Sequence, residues 1–372
     1  MNGQSIFIHS EELDNNGFPP PCPFDTSRAG KTREIIRSLG LISDTDTMEI
    51  TPEPVSREEL ELFHTPEYLD MIKDSENGNI TLTAQDMGIG SMDCPVFPDM
   101  YNYFSLACGG TVTGARYLLD NKAKIVFNPS GGFHHAGPST ASGFCYLNDI
   151  AIASKILLNE GKRILFLDLD VHHCNGVQDE FYDNPDIMTV SMHQSGKTLF
   201  PGTGDVRETG KGKGKGYTAN IPLPEETYNS LYYRIFKEGV LPLIERFSPD
   251  IIIFELGMDT LAGDPLAQLK LTNNIYIDII RDILKFKKPL LATGGGGYNI
   301  YNTVRSWALV WSLLSNQYEE NISMGLGGVM LENTNFLEGL IDRSRNPVKH
   351  RLEKTEEAAL KTLEEFKQEF SL

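Results

Sequence analysis

Short, unbroken apolar runs recur along this chain, separated by longer stretches of helical pattern. The runs are SIFIH (5–9), KIVFN (124–128), RILFLDLD (163–170), IMTVSMH (187–193), DIIIFEL (250–256) and PLLAT (289–293). A strand apolar at successive positions has both faces buried, which suits a parallel sheet covered on each side. Helical patterns lie between them at 103–121, 146–161, 228–247, 273–286 and 303–315. The alternation predicts right-handed βαβ units, and so an α/β fold with a central, mostly parallel sheet flanked by helices on both faces. No internal repeat or low-complexity linker interrupts residues 1–372, so one domain is expected. Its last part, 316–372, reads as an accessory loop and an amphipathic helix, with Leu360, Leu363, Phe366 and Phe370 at roughly helical spacing.

Charge and cysteine usage narrow the function classes. The 51 acidic side chains outnumber the 33 Lys and Arg, for a net charge of −18. No basic face for phosphates is expected, and therefore no nucleic-acid partner. The acidic surface serves solubility, or attracts cationic peptides and polyamines. Five scattered cysteines without a C-x-x-C pair indicate neither a disulfide framework nor a thiolate metal site. The N-terminus carries no secretory pattern and no apolar run is long enough to cross a bilayer. A cytoplasmic protein without membrane association is expected. The segment TGKGKGKGY (209–217) lacks the ending of a phosphate-binding loop and reads as a solvated loop.

Ionisable residues gather where strands end, the edge at which open α/β sheets bind ligands. Asp168, Asp170 and His172 finish the run RILFL at alternate positions, so they share one face. Buried charges need partners, and three on one face point to a metal or a catalytic group, or else to an ion-pair network or helix cap. Asp259 follows DIIIFELGM; alone it reads as a helix cap or turn residue. Beside Asp170 and His172 it completes two carboxylates and one imidazole, the three-ligand pattern of a catalytic zinc site, and one that Fe2+ also accepts. His134 and His135 follow KIVFN and a Gly-Gly turn. An imidazole beside a reacting water is a natural general base. The run Gly294–Gly297 lets the backbone approach a ligand, and places Tyr298 to donate a hydrogen bond to an oxyanion.

Together these stretches resemble the histone deacetylase superfamily, arginase-type metal hydrolases that include lysine deacetylases, acetylpolyamine hydrolases and acetoin-utilisation proteins. The resemblance rests on SGGFHHAGPSTASGFCYLNDIAIA (130–153), FLDLDVHHCNGVQDEFY (166–182), TVSMHQSGKTLFPGTGDV (189–206), LGMDTLAGDPL (256–266) and TGGGGYN (293–299). It implies the arginase/deacetylase-like fold, with Asp170, His172 and Asp259 as zinc ligands, His134 and His135 as the tandem catalytic histidines, and Tyr298 as the carbonyl-polarising tyrosine. Phe144 and Phe200 match the aromatic walls of an acyl-lysine tunnel, Gly143 a backbone contact to the substrate amide, and Asp93 a rim carboxylate gripping a peptide backbone. A structural K+ would involve Asp168, Asp170, His172, Ser191 and Met192, and Arg28 matches an arginine of an internal product channel.

Three positions refine what the resemblance implies. Asn175 stands where class I members have Asp, as in class II members; it orients the His135 ring without stabilising its cation. His134, backed by Asp168, is then the histidine that more readily carries a proton. Retention of Tyr298 favours an active hydrolase over a non-catalytic acyl-lysine-binding module. Leu266 follows AGDP where polyamine-selective relatives place Glu, which favours acyl-lysine peptides or proteins over acetylated polyamines as substrates. Cys145 reads as a packed small hydrophobe. A monomer and a homo-oligomer are both compatible with the sequence.

Overall fold

Eight parallel strands form one sheet in the computed structural model, which describes residues 4–15, 17–43, 46–319, 339–342 and 349–372. They are β1 (Gln4–Ile8), β2 (Thr47–Ile50), β3 (Ala123–Asn128), β4 (Ile164–Asp168), β5 (Ile187–Gln194), β6 (Thr218–Leu223), β7 (Ile251–Glu255) and β8 (Leu290–Thr293). Their spatial order is β2-β1-β3-β8-β7-β4-β5-β6, and every pairing is parallel. The expected mostly parallel sheet is therefore wholly parallel among the described residues. Burial explains the unbroken apolar runs. In β4, Leu165 and Leu167 pack into one core and Phe166 into the other; in β7, Ile252 and Phe254 face one side while Ile251 and Ile253 face the other.

All six runs become strands, with ends shifted by a residue or two, as hydrogen bonding at strand ends dictates. Sequence reading did not find β2 and β6, the two edges. In β2 the signal is weak because the strand is short and Met48 is exposed; β6, TANIPL, is mostly buried but is broken up by Thr218, Asn220 and Pro222, the last of which an edge tolerates. The helix Arg28–Ser38 was missed as well; it packs on Ile300–Leu314, whose Trp307 and Trp311 indoles donate to the Leu256 and Leu41 carbonyls at 2.9 and 2.8 Å.

The single helix expected over 228–247 is three segments: Asn229–Ile235, a π-helical turn Phe236–Val240, and Leu241–Phe247. Pro242 has no N–H for the carbonyl four residues back, so the ladder widens there. Gly239, inside that turn, leaves room for Phe366 and Leu363 of the C-terminal helix Lys349–Phe370. That helix docks on the body as expected: Leu363, Phe366 and Phe370 are buried, Leu360 is half-buried, and Arg246 donates to the Phe370 carbonyl at 2.7 Å. Residues 320–338 of the expected accessory loop lie outside the described residues. Phe366→Ala is expected to lower the unfolding free energy by about 3–5 kcal/mol, read from the urea midpoint. The 209–217 segment forms a loop with one 3-10 turn, Gly212–Gly214.

Candidate metal centre

The sheet's carboxyl edge carries a row of polar residues in register. Ser191 of β5 is opposite Asp168 of β4, which is opposite Glu255 of β7, then Thr293 of β8 and Asn128 of β3. In-register residues of parallel strands point the same way, so Asp168 and Glu255 rise on one face.

From Asp168 the chain leaves β4 in a tight run. The Asp170 amide donates to Asp168 Oδ1 at 2.8 Å and the His172 amide to Asp170 Oδ1 at 2.9 Å. This brings Asp170 and His172 together as their spacing predicts. Asp259 joins them from the far side: its Oδ1 accepts from the Val171 amide at 3.0 Å, and its Oδ2 lies 3.1 Å from His172 Nδ1. Asp170 Oδ1 is also 3.1 Å from that nitrogen. One ligand atom from each of the three residues lies within 4.8 Å of the others, all buried. The helix-cap reading of Asp259 fails, because the next described helix starts at Asn274.

The electrostatics fit a cation. Burial pushes the His172 imidazolium down, but Asp170 and Asp259 overcome it and hold its pKa at about 10. Burial, then the Asp170 charge, pushes Asp259 up to about 7. Two buried carboxylates on one imidazole need a shared positive charge, which a divalent ion supplies in place of a proton. Among the described residues Asp259 Oδ2 makes no hydrogen bond beyond its 3.1 Å ionic contact with His172. Two carboxylate oxygens and an imidazole nitrogen suit Zn2+ and also Fe2+. The glycine run belongs to the same construction. Gly296 N donates to Asp170 Oδ2 at 2.6 Å, and a Cβ on Gly296 would sit 1.9 Å from Asp259 Oδ2. Only glycine lets the backbone this close.

The tandem histidines enter from β3. Asp149, at the start of helix Asp149–Asn159, accepts from the amides of Gly132 and Phe133 at 3.0 and 2.8 Å and so fixes the turn that precedes them. His134 Nε2 and His135 Nε2 are 3.1 Å apart. His135 Nδ1 donates to Asn175 Oδ1 at 2.7 Å, which leaves its Nε2 as the acceptor. Burial, then the charges of His134 and His172, hold the His135 pKa well below the ordinary value. His134 differs: burial opposes its charge, but Glu255 and Asp168 raise it well above ordinary. Its Nδ1 lies 2.9 Å from Glu255 Oε1 and 3.3 Å from Asp168 Oδ2. Glu255 was missed by sequence reading; its one signal is a carboxylate closing the apolar run DIIIFEL.

Tyr298 follows the glycine run, with its amide donating to Asp264 Oδ2 at 2.8 Å and its ring 6.4 Å from that of His172. Asp264 also accepts from the Leu266 amide at 2.9 Å, tying the AGDPL turn to the tyrosine. Sequence reading missed this anchor too. The Phe144 ring lies tilted 5.5 Å from that of Tyr298, and Phe200, 44% exposed, lies edge-on 5.0 Å from His135. Between them Gly143 and Phe144 adopt φ of +54° and +66°. A side chain on Gly143 would strike the His135 ring at 2.4 Å. Asp93 borders this turn, but its Oδ2 accepts from the Gly143 amide at 2.8 Å and its Oδ1 from Ser91 at 2.7 Å. Ser191 Oγ lies 3.4 Å from Asp168 Oδ2, and Met192 is buried beside it in β5. Arg28 is buried, donates to the Gly297 carbonyl at 2.8 Å, and lies over the Phe24 and Trp307 rings. Cys145 is buried, with its thiol pushed up to about 12 by burial, as suits a packed residue.

An all-parallel sheet with this carboxylate–imidazole cluster at its carboxyl edge is the architecture expected of the arginase/deacetylase-like fold. A family profile described as histone deacetylase domain matches residues 22–314. The acetoin utilization protein AcuC of Bacillus subtilis is 38% identical over 315 residues, covering 82% of this chain and 81% of that protein. Histone deacetylase 8 of Xenopus tropicalis is 37% identical, covering 83% of each. The crystal structure of a histone deacetylase homologue from Aquifex aeolicus superposes with a TM-score of 0.85 at 31% identity, covering 96% of this chain and 99% of that one. The chain belongs to the histone deacetylase family, and is an amidohydrolase as that family is. No described helix is long and apolar enough to cross a membrane.

Proposed function

We propose that this chain is a single catalytic domain that hydrolyses the amide of N-acyl-lysine in peptides or proteins, using Zn2+ held by Asp170, His172 and Asp259. The observation that carries the reading is the buried triad with two histidines of opposite electrostatic character beside it. Bound there, the metal acts as a Lewis acid on the amide oxygen and lowers the pKa of the attacking water. His135 takes the water proton at Nε2, because Asn175 holds a hydrogen on its Nδ1. The Tyr298 hydroxyl donates to the developing oxyanion. His134, beside two carboxylates, holds the proton that the leaving amine receives. Phe144 and Phe200 flank the substrate's aliphatic stem, with Gly143 contacting its amide and Asp93 its backbone.

A K+ site at Asp168 and Ser191, with carbonyls of Asp170, His172 and Met192, and a product route past Arg28 belong to the same reading. The five free cysteines support a reducing, cytoplasmic setting. One hydrolysis panel tests the substrate class: acetyl-lysine peptides, longer acyl-lysines and acetylpolyamines. Acyl-lysine peptides are expected to give the highest kcat/KM, with Leu266 offering no charge to a polyamine. Preferential turnover of acetylpolyamines would overturn the substrate assignment but not the chemistry.

A further inference from the structure

Glu255 has no place in the proposed chemistry, and its position is costly. It is fully buried at the centre of the sheet, between Asp168 of β4 and Thr293 of β8. Neither carboxylate oxygen has a hydrogen-bond partner among the described residues. Its one described ion-pair partner is His134, with Oε1 2.9 Å from Nδ1, an ionic contact rather than an aligned hydrogen bond. A purely structural residue there would be better apolar, because a buried carboxylate outweighs its single contact in desolvation. Asp168 approaches the same nitrogen from the adjacent strand at 3.3 Å. The two carboxylates, in register on β4 and β7, bracket the Nδ1 edge of the ring. The opposite edge, Nε2, is thereby aimed at His135, 3.1 Å away.

We propose that Glu255 is a positioning residue for the hydrolytic reaction, the nearer of two carboxylates that set the orientation of His134. The inference rests on the proposed role of His134 in amide hydrolysis. A ring displaced by about 1 Å delivers its proton poorly, whereas substrate binding, which Glu255 does not touch, is unaffected.

The test measures kcat, KM and zinc content of Glu255→Leu and Glu255→Gln, each in the wild-type and His134→Ala backgrounds. Glu255→Leu is expected to lower kcat on the order of 10²-fold, with KM and zinc content unchanged. Glu255→Gln keeps an oxygen for Nδ1 and is expected to show a smaller loss, also confined to kcat. Neither substitution should cost anything further once His134 is alanine, since residues acting as one unit are not additive. Wild-type kcat in the Leu variant, zinc lost together with activity, or a full additional loss in the His134→Ala background would each overturn the assignment. If the Leu variant does not fold, the Gln variant decides: no change, a change in KM, or a loss that survives His134→Ala overturns it. Full activity of His134→Ala alone would instead overturn the mechanism on which the inference rests.

Discussion

Dialysis against a chelator is expected to abolish amide hydrolysis, and stoichiometric Zn2+ to restore it. The triad explains the size of the effect. Asp170, His172 and Asp259 are all buried, and without a cation the two carboxylates hold a proton on His172, raising its pKa to about 10 against the effect of burial. Nothing else at the site offers a Lewis acid for the amide oxygen, so the loss should reach the background rate. Asp259→Ala should do the same, because it removes one of three ligands and an open position cannot be rebuilt from the remaining two. Metal analysis of protein purified without added metal, with and without oxygen, separates zinc from Fe2+. Turnover indifferent to chelator would sink the metal assignment.

Tyr298→Phe is expected to lower kcat by about 10²–10³, or about 2.7–4 kcal/mol of transition-state stabilisation. The substitution is clean. The Tyr298 backbone is held by Asp264 at 2.8 Å and its ring packs against Phe144 at 5.5 Å. A phenylalanine keeps both contacts and loses only the hydroxyl. KM should stay near wild type, since an oxyanion donor acts in the transition state rather than on the bound amide. Steady-state rates on an acetyl-lysine peptide check this; wild-type kcat in the variant would remove Tyr298 from the mechanism.

The two tests probe features that differ in how visible they are along the chain. Asp170 and His172 are separated by one residue after an apolar strand, so strand periodicity alone puts them on one face. Asp259 is 87 residues beyond His172, and as a lone Asp it resembles a cap until the family likeness gives it a partner. In the structure its Oδ1 accepts a hydrogen bond from the Val171 amide, which brings it beside Asp170 and His172. His134 shows the limit more sharply. Its partner Asp168 was read from the resemblance, yet Glu255 lies closer at 2.9 Å. Asp93, matched by the resemblance to a rim carboxylate, also accepts from Ser91 Oγ and the Gly143 amide, contacts that its position in the sequence does not reveal.

What the sequence by itself determined is whatever depends on local periodicity. Six strands, four of the five helical stretches and the alternating carboxylate–imidazole run at the end of β4 follow from how side chains alternate along a backbone, whereas the stretch 228–247 is divided by a π-helical turn. The tertiary structure decided which distant residues meet. The edge strands β2 and β6, the pairing that sets Glu255 opposite Asp168, and the approach of Gly296 to the carboxylates of Asp170 and Asp259 depend on register between strands remote in sequence. Register is settled by packing on both faces of the sheet at once, and no local pattern contains it.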